Sequence, residues 1–263
     1  MEEGQRQQSG FTILELMIAI AVFLLICSAI FGLLELSQKN FSNESQTSGT
    51  FQEARLAVDQ IVRDFNQAGY PSLGMFSETS PASAANYTVA PVAWAPGYPS
   101  TACAIGTAGG GTCTTPGDFD LIVEADPGGG VSWIRYQLVN GTLYRGIVPK
   151  VAGGDPVAAT SAAGVMGPLV SNVLNVPGAQ LTEINATYPG MFPGGVPVPI
   201  FQYSCNTGGG TQPCPLAVGA NSPYNVEDVD ITLIVASPVR DIQTGRLKIV
   251  ELNGRGHRLN PTN

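Results

Sequence analysis

Nineteen consecutive uncharged residues, Leu16 to Leu34, stand directly behind a single carboxylate, Glu15. As a helix rising about 1.5 Å per residue, that run is about 28 Å long, enough to cross the hydrocarbon core of a bilayer. A cleaved secretory signal has a shorter apolar core and a small-x-small site beyond it. Here no Ala-x-Ala follows the run, and a helical pattern continues instead. The acid is the anomaly. An ionised side chain in hydrocarbon costs about 3 kcal/mol, so a charge kept at this position is expected to have a partner.

The residues around it, Gly10-Phe11-Thr12-Ile13-Leu14-Glu15-Leu16-Met17, resemble the class III signal of type IV pilins and type II secretion pseudopilins. The resemblance covers this motif, the apolar run and the amphipathic helix behind it. It implies a peptidase cut after Gly10, N-methylation of the new N-terminal Phe11, and a role for Glu15 in filament assembly. It also implies partners: a prepilin peptidase, the inner membrane before assembly, and other pilins through the N-terminal helix. One feature departs from the family. Leaders of this kind are generally basic, whereas residues 1–10 offer Arg6 against Glu2 and Glu3. Loop charge therefore says little about topology, and the orientation, leader inside and the rest outside, follows from the resemblance.

The first helix is expected from about Phe11 to Ala68, since no proline occurs before Pro71. Its second half carries Phe51, Ala54, Val58, Ile61 and Phe65 at 3-4-3-4 spacing, with Glu53, Arg55, Asp59, Arg63 and Asp64 on other faces. That is an amphipathic helix with one stripe for a domain core. Gly32 and Gly49 are its soft points, each costing about 1 kcal/mol relative to Ala. Gly69-Tyr70-Pro71 reads as the stop. The segments Ala54 to Asp59 and Arg63 to Tyr70 resemble the corresponding part of the large W-type minor pilins and of the J-type minor pseudopilin.

Beyond Pro71 the periodicity shifts to strands. Phe119 to Glu124, Val131 to Val139, Thr142 to Val148, Val229 to Val235 and Leu247 to Leu252 read as strands, and Asn140-Gly141 as a two-residue hairpin turn. Together they predict an antiparallel meander that the helix covers, an α+β fold. Two stretches, Thr79 to Gly117 and Ile184 to Val226, lack charge, are rich in Pro, Gly, Ser, Thr and Ala, and read as long loops. They are candidate contact surfaces for a ligand of unknown identity, or plain variable loops.

Four of the five cysteines fall in those loops. Cys103 and Cys113 bracket one Gly-rich segment, Cys205 and Cys214 another. Zinc would call for close Cys-x-x-Cys or Cys/His knuckles, and the only histidine is His257. Two local disulfides in an oxidising compartment fit better, each stabilising by about 2–3 kcal/mol in the chain-entropy account. Pairing within each bracket is preferred to cross-pairing. Cys27 lies in the apolar run and reads as a small hydrophobe.

No Gly-x-Ser-x-Gly elbow, phosphate loop or His-Glu-x-x-His is present. His257 reads as a solvated histidine, and Glu227, Asp228 and Asp230 as a capped strand entry rather than a Ca²⁺ site. The expectation is a protein that is not an enzyme and holds no cofactor or metal. A net charge of −8 argues against nucleic acid as the primary partner. The expected organisation is a leader (1–10), a transmembrane and assembly helix (11–36), its amphipathic continuation (37–70) and a β-rich head (71–263). The resemblance implies a minor type IV pilin of the W type; the alternatives are a J-type pseudopilin and a pilus-borne adhesin. Localisation would be the inner membrane with the head in the periplasm, then a surface pilus.

Overall fold

The computed structural model describes residues 12–76, 83–93, 117–175, 180–206, 208–213, 226–241 and 244–259. Its first element is helix α1, Ile13–Asn66, which runs unbroken through Gly32 and Gly49. Thr12 caps its start, with an extended backbone and a hydroxyl that accepts from the Glu15 amide. Gln67 is the C-cap, and Gly69 follows at φ +81°. There the chain leaves the helix, and the Gly69 amide donates to the Glu124 carbonyl at 2.9 Å.

Among the described residues, the head holds two antiparallel four-stranded sheets. The first is a meander of β1 (Asp120–Ala125), β2 (Ser132–Val139), β3 (Thr142–Pro149) and β4 (Met166–Val170), in that order. Its β2–β3 turn places Asn140 at φ +49° and Gly141 at φ +76°. Two successive left-handed residues match the right-handed twist of the flanking strands, which is why Asn-Gly is the expected pair there. A short helix α2 (Pro156–Thr160), capped by Asp155, leads from β3 to β4.

The second sheet contains β5 (Phe201–Asn206), β6 (Thr211–Pro213), β7 (Val226–Arg240) and β8 (Leu247–His257), ordered β6-β5-β7-β8. Both faces of its centre are covered. Ile231, Leu233 and Val235 of β7 belong to the main core shared with α1 and the first sheet. Ile234, pointing the other way, joins Leu181, Ile184 and Phe192 in a smaller cluster beneath helix α3 (Gln180–Thr187). The buried Asn175 side chain pins this layer, accepting from the Ile234 amide and donating to the Thr232 and Val198 carbonyls.

Helix α1 buries Ala54, Ala57, Val58, Ile61 and Phe65, the stripe read from the spacing with Ala57 added and Phe51 half-buried. The α+β class and the helix-on-sheet arrangement hold. The single meander does not: the strands divide between two sheets, and β4, β5 and β6 join those anticipated. The stretch 184–226 is also not one long loop. It contributes β5, an interior strand whose Phe201, Tyr203 and Cys205 face the core. Absence of charge, read as a loop signal, there reflects burial between β6 and β7.

Candidate functional site

Among the described residues, the first half of α1 has no packing partner within the subunit. Its most apolar 18-residue window has a mean hydropathy of 2.9 and is 0 % buried. Ile13 is 80 %, Leu25 72 % and Phe31 70 % exposed. An apolar surface of this length is unfavourable in water at about 25 cal/mol per Å², so lipid or neighbouring helices must cover it.

Glu15 sits three residues into this surface and has a local partner. Its carboxylate accepts from the Thr12 amide and the Thr12 hydroxyl, both at 3.0 Å, while the Glu15 amide donates to the Thr12 hydroxyl at 3.3 Å. This is a reciprocal capping box, which satisfies backbone donors that a helix start leaves open. Sequence reasoning gave Glu15 an intermolecular partner and missed this one, although Thr-x-x-Glu is itself the signal. The carboxylate also lies at the positive end of the helix dipole. Gly10 and Phe11 lie outside the described residues.

Among the sulfurs, Cys27 is free and half-buried against its own helix. Cys205 is fully buried on β5 and disulfide-bonded. Its partner, like Cys103, Cys113 and Cys214, lies outside the described residues, and so does the pairing.

The packed half of α1 is locked by charge as well as by apolar contact. Asp64, 3 % exposed, accepts from the Tyr136 hydroxyl of β2 and from the Arg145 guanidinium of β3, with Nη2 at 2.8 Å. Burial and the adjacent Asp64 charge push the Tyr136 phenol well above its ordinary range. A second network lies under the first sheet. Glu124 takes Lys150 Nζ at 2.8 Å, Trp133 Nε1 at 2.9 Å and the Val89 amide at 2.7 Å, and Lys150 also donates to the Tyr87 carbonyl. It ties the segment around Val89 to the sheet.

His257 is not simply solvated. Its Nδ1 lies 2.7 Å from Asp228 Oδ1, and Arg255 Nη2 is 2.7 Å from Asp228 Oδ2. Asp230 lies 3.7 Å from Arg255, and Glu227 accepts from Thr211. The acidic strand entry is thus spent on side-chain cations and a hydroxyl. Among the described residues, no group of three or more His, Cys, Asp or Glu is arranged to hold a metal.

Residues 5–36 match the family model for the prokaryotic N-terminal methylation motif. No curated protein and no solved structure matches the chain. The chain therefore carries a prepilin-type signal, which implies processing by a prepilin peptidase and assembly with other pilins. The motif and the uncovered apolar helix together fit anchoring in the inner membrane before assembly. They point to a structural role rather than to catalysis.

Proposed function

We propose that this chain is a minor subunit of a type IV pilus, joined to its neighbours through the first half of α1. The observation that carries this reading is the apolar half of α1, uncovered in the subunit and continuous with a half locked into the head. One rigid rod can then anchor in lipid at one end, pass into a bundle of like helices, and carry its head outside.

In this reading residues 1–10 are removed between Gly10 and Phe11, and Phe11 is N-methylated. Residues 11–36 form the membrane and assembly helix, 37–70 its amphipathic continuation, and 71–263 the head. The head stands in the periplasm before assembly and on the cell surface afterwards. Glu15 meets the Phe11 amine of a neighbouring subunit, where each charge offsets the other in a low-dielectric bundle. Its capping bonds come from Thr12, which stays in the processed chain. The W-type assignment is supported by the resemblance of residues 54–70. Disulfides Cys103–Cys113 and Cys205–Cys214 brace the head, and the bonded Cys205 favours this.

The minor role follows from the size of the head and its two uncharged stretches, which would crowd a helical array if repeated at every position. Quantitative mass spectrometry of sheared filaments tests it. The chain should make up a small percentage of subunits, cut after Gly10. Recovery as the dominant filament protein would overturn the minor role, and an intact leader in filaments would overturn the processing.

A further inference from the structure

Helix α1 is not uniform along its length. Of the eleven residues from Asn40 to Thr50, eight are Asn, Ser, Thr or Gly. All four rank below Ala, Leu, Glu and Lys as helix formers. Short polar side chains compete for backbone hydrogen bonds, and glycine loses the most backbone freedom. Two of the threonines show that competition directly. Thr47 Oγ1 donates to the Asn43 carbonyl at 2.8 Å, and Thr50 Oγ1 to the Gln46 carbonyl at 3.0 Å. Bonds of this kind go to carbonyls that the helix ladder also uses, and they bend helices. Ser48-Gly49 is moreover the kind of pair at which helices kink.

Tertiary contact does little to compensate. Among residues 40–50 only Thr47 is buried, whereas the stretch that follows buries Ala54, Ala57, Val58, Ile61 and Phe65. A cleft of about 490 Å³ separates this part of α1 from the head. It is lined in part by Asn40, Asn43 and Thr47 of the helix and by Val239 and Lys248 of the β7–β8 hairpin. Glu44, the only charged residue of 40–50, reaches across it, where Lys248 Nζ donates to Glu44 Oε2 at 2.7 Å. Lys248 is positioned from its own side. Its amide donates to Ser237 Oγ at 3.0 Å, and its Nζ lies 3.9 Å from Asp241 Oδ2.

We propose that the β7–β8 hairpin is a clamp on α1. The Lys248–Glu44 tie keeps residues 40–50 helical, and its release lets the helix unwind and bend at Ser48-Gly49. With the clamp closed, α1 is the continuous rod described above. With it open, the head tilts relative to the apolar half while each keeps its own structure. Neither flank yields instead. In lipid the apolar half has no water to replace its backbone hydrogen bonds, and the packed half is held by the core. The consequence rests on the pilus reading: a subunit in the bilayer and a subunit in a filament can carry the head at different angles to the same membrane helix.

The test is hydrogen–deuterium exchange of the full chain in detergent micelles, read by peptide mass spectrometry. Amides of 40–50 should exchange faster than those of 18–34 and 57–66, since local opening is easiest where few buried contacts oppose it. Lys248→Gln should speed exchange over 40–50 by about two- to fivefold, the effect of an exposed ion pair, and leave both flanks unchanged. Glu44→Gln should do the same, while Lys248→Arg, which keeps the charge, should not. Gly49→Ala, whose Cβ would meet nothing within 4 Å, should slow exchange over 40–50 by about fivefold. Exchange over 40–50 as slow as in the packed half, or unmoved by both Lys248→Gln and Glu44→Gln, would overturn the clamp alone. Fast exchange over 18–34 would overturn the membrane-helix reading, and the clamp would still stand if 40–50 responded to Lys248→Gln.

Discussion

Gly254 of β8 lies against Val58 of α1 so closely that a Cβ on the glycine would stand 2.5 Å from Val58 Cγ1. Two residues on, a Cβ at Gly256 would stand 2.9 Å from Phe65 Cδ1. The helix touches the sheet through a pair of glycines, a recognised use of glycine within strands. Gly254→Ala is expected to destabilise the head by about 1–3 kcal/mol through overpacking. Denaturant unfolding of the detergent-solubilised chain measures it. Val58→Ala should restore part of the loss in the double variant; additive losses would show that the contact is not the cause.

Asp64→Ala removes the acceptor that joins α1 to Tyr136 and Arg145. Breaking a buried pair costs about 3–5 kcal/mol, and the lower end applies here because the Arg145 side chain keeps 25 % exposure. The same unfolding measurement reads it. Tyr136→Phe, which deletes the hydroxyl's bond to Asp64 and the one it accepts from Arg145 Nε but leaves the ion pair, should cost only about 1–2 kcal/mol. Equal costs for the two variants would contradict the ranking of charge over hydroxyl.

The parts of the fold that were legible in sequence have local signals. The 3-4-3-4 stripe ending at Phe65, the Gly69 stop and the Asn140-Gly141 turn each depend on neighbours a few residues away. Strand β5 does not. Its Phe201, Tyr203 and Cys205 alternate properly, but Pro and Gly crowd both flanks, and only pairing with β7 makes it interior. Glu124 and Lys150 carry no local sign of burial, because each depends on the other, 26 positions away, to be tolerated in the core. For the site, the motif from Gly10 to Met17 was legible, whereas the capping role of Glu15 was overshadowed by its assembly role.

Asp228 makes acid stability depend on the end of β8. Burial raises its pKa, but hydrogen bonds and charge from Arg255 and His257 outweigh burial and hold the carboxyl below its ordinary value of 3.8. A depressed carboxylate means that the unfolded chain binds the proton more readily. The stability it contributes is therefore fully present above pH about 4 and is lost as pH falls through the lower folded value. Asp228→Asn should flatten the pH dependence of the unfolding midpoint below pH about 4. An unchanged slope would show that Asp228 is not its source.

Oxidation of the head is read by non-reducing peptide mapping of exported protein. A Cys205–Cys214 peptide and a Cys103–Cys113 peptide are expected. A Cys205–Cys103 or Cys205–Cys113 peptide would replace pairing within brackets by a link between the two uncharged stretches.

The assembly role of Glu15 is separated from its capping role by Glu15→Gln. Glutamine at the third position of a helix still completes a capping box, yet it carries no charge to meet a neighbour's Phe11 amine. In a strain lacking the wild-type copy, processing after Gly10 and membrane insertion should match wild type, while the chain should be depleted from the sheared filament fraction. Thr12→Ala, which removes the cap hydroxyl and keeps the charge, should assemble. If Glu15→Gln enters filaments at the wild-type level, the carboxylate serves the helix start alone and the charge-pairing account of assembly is wrong.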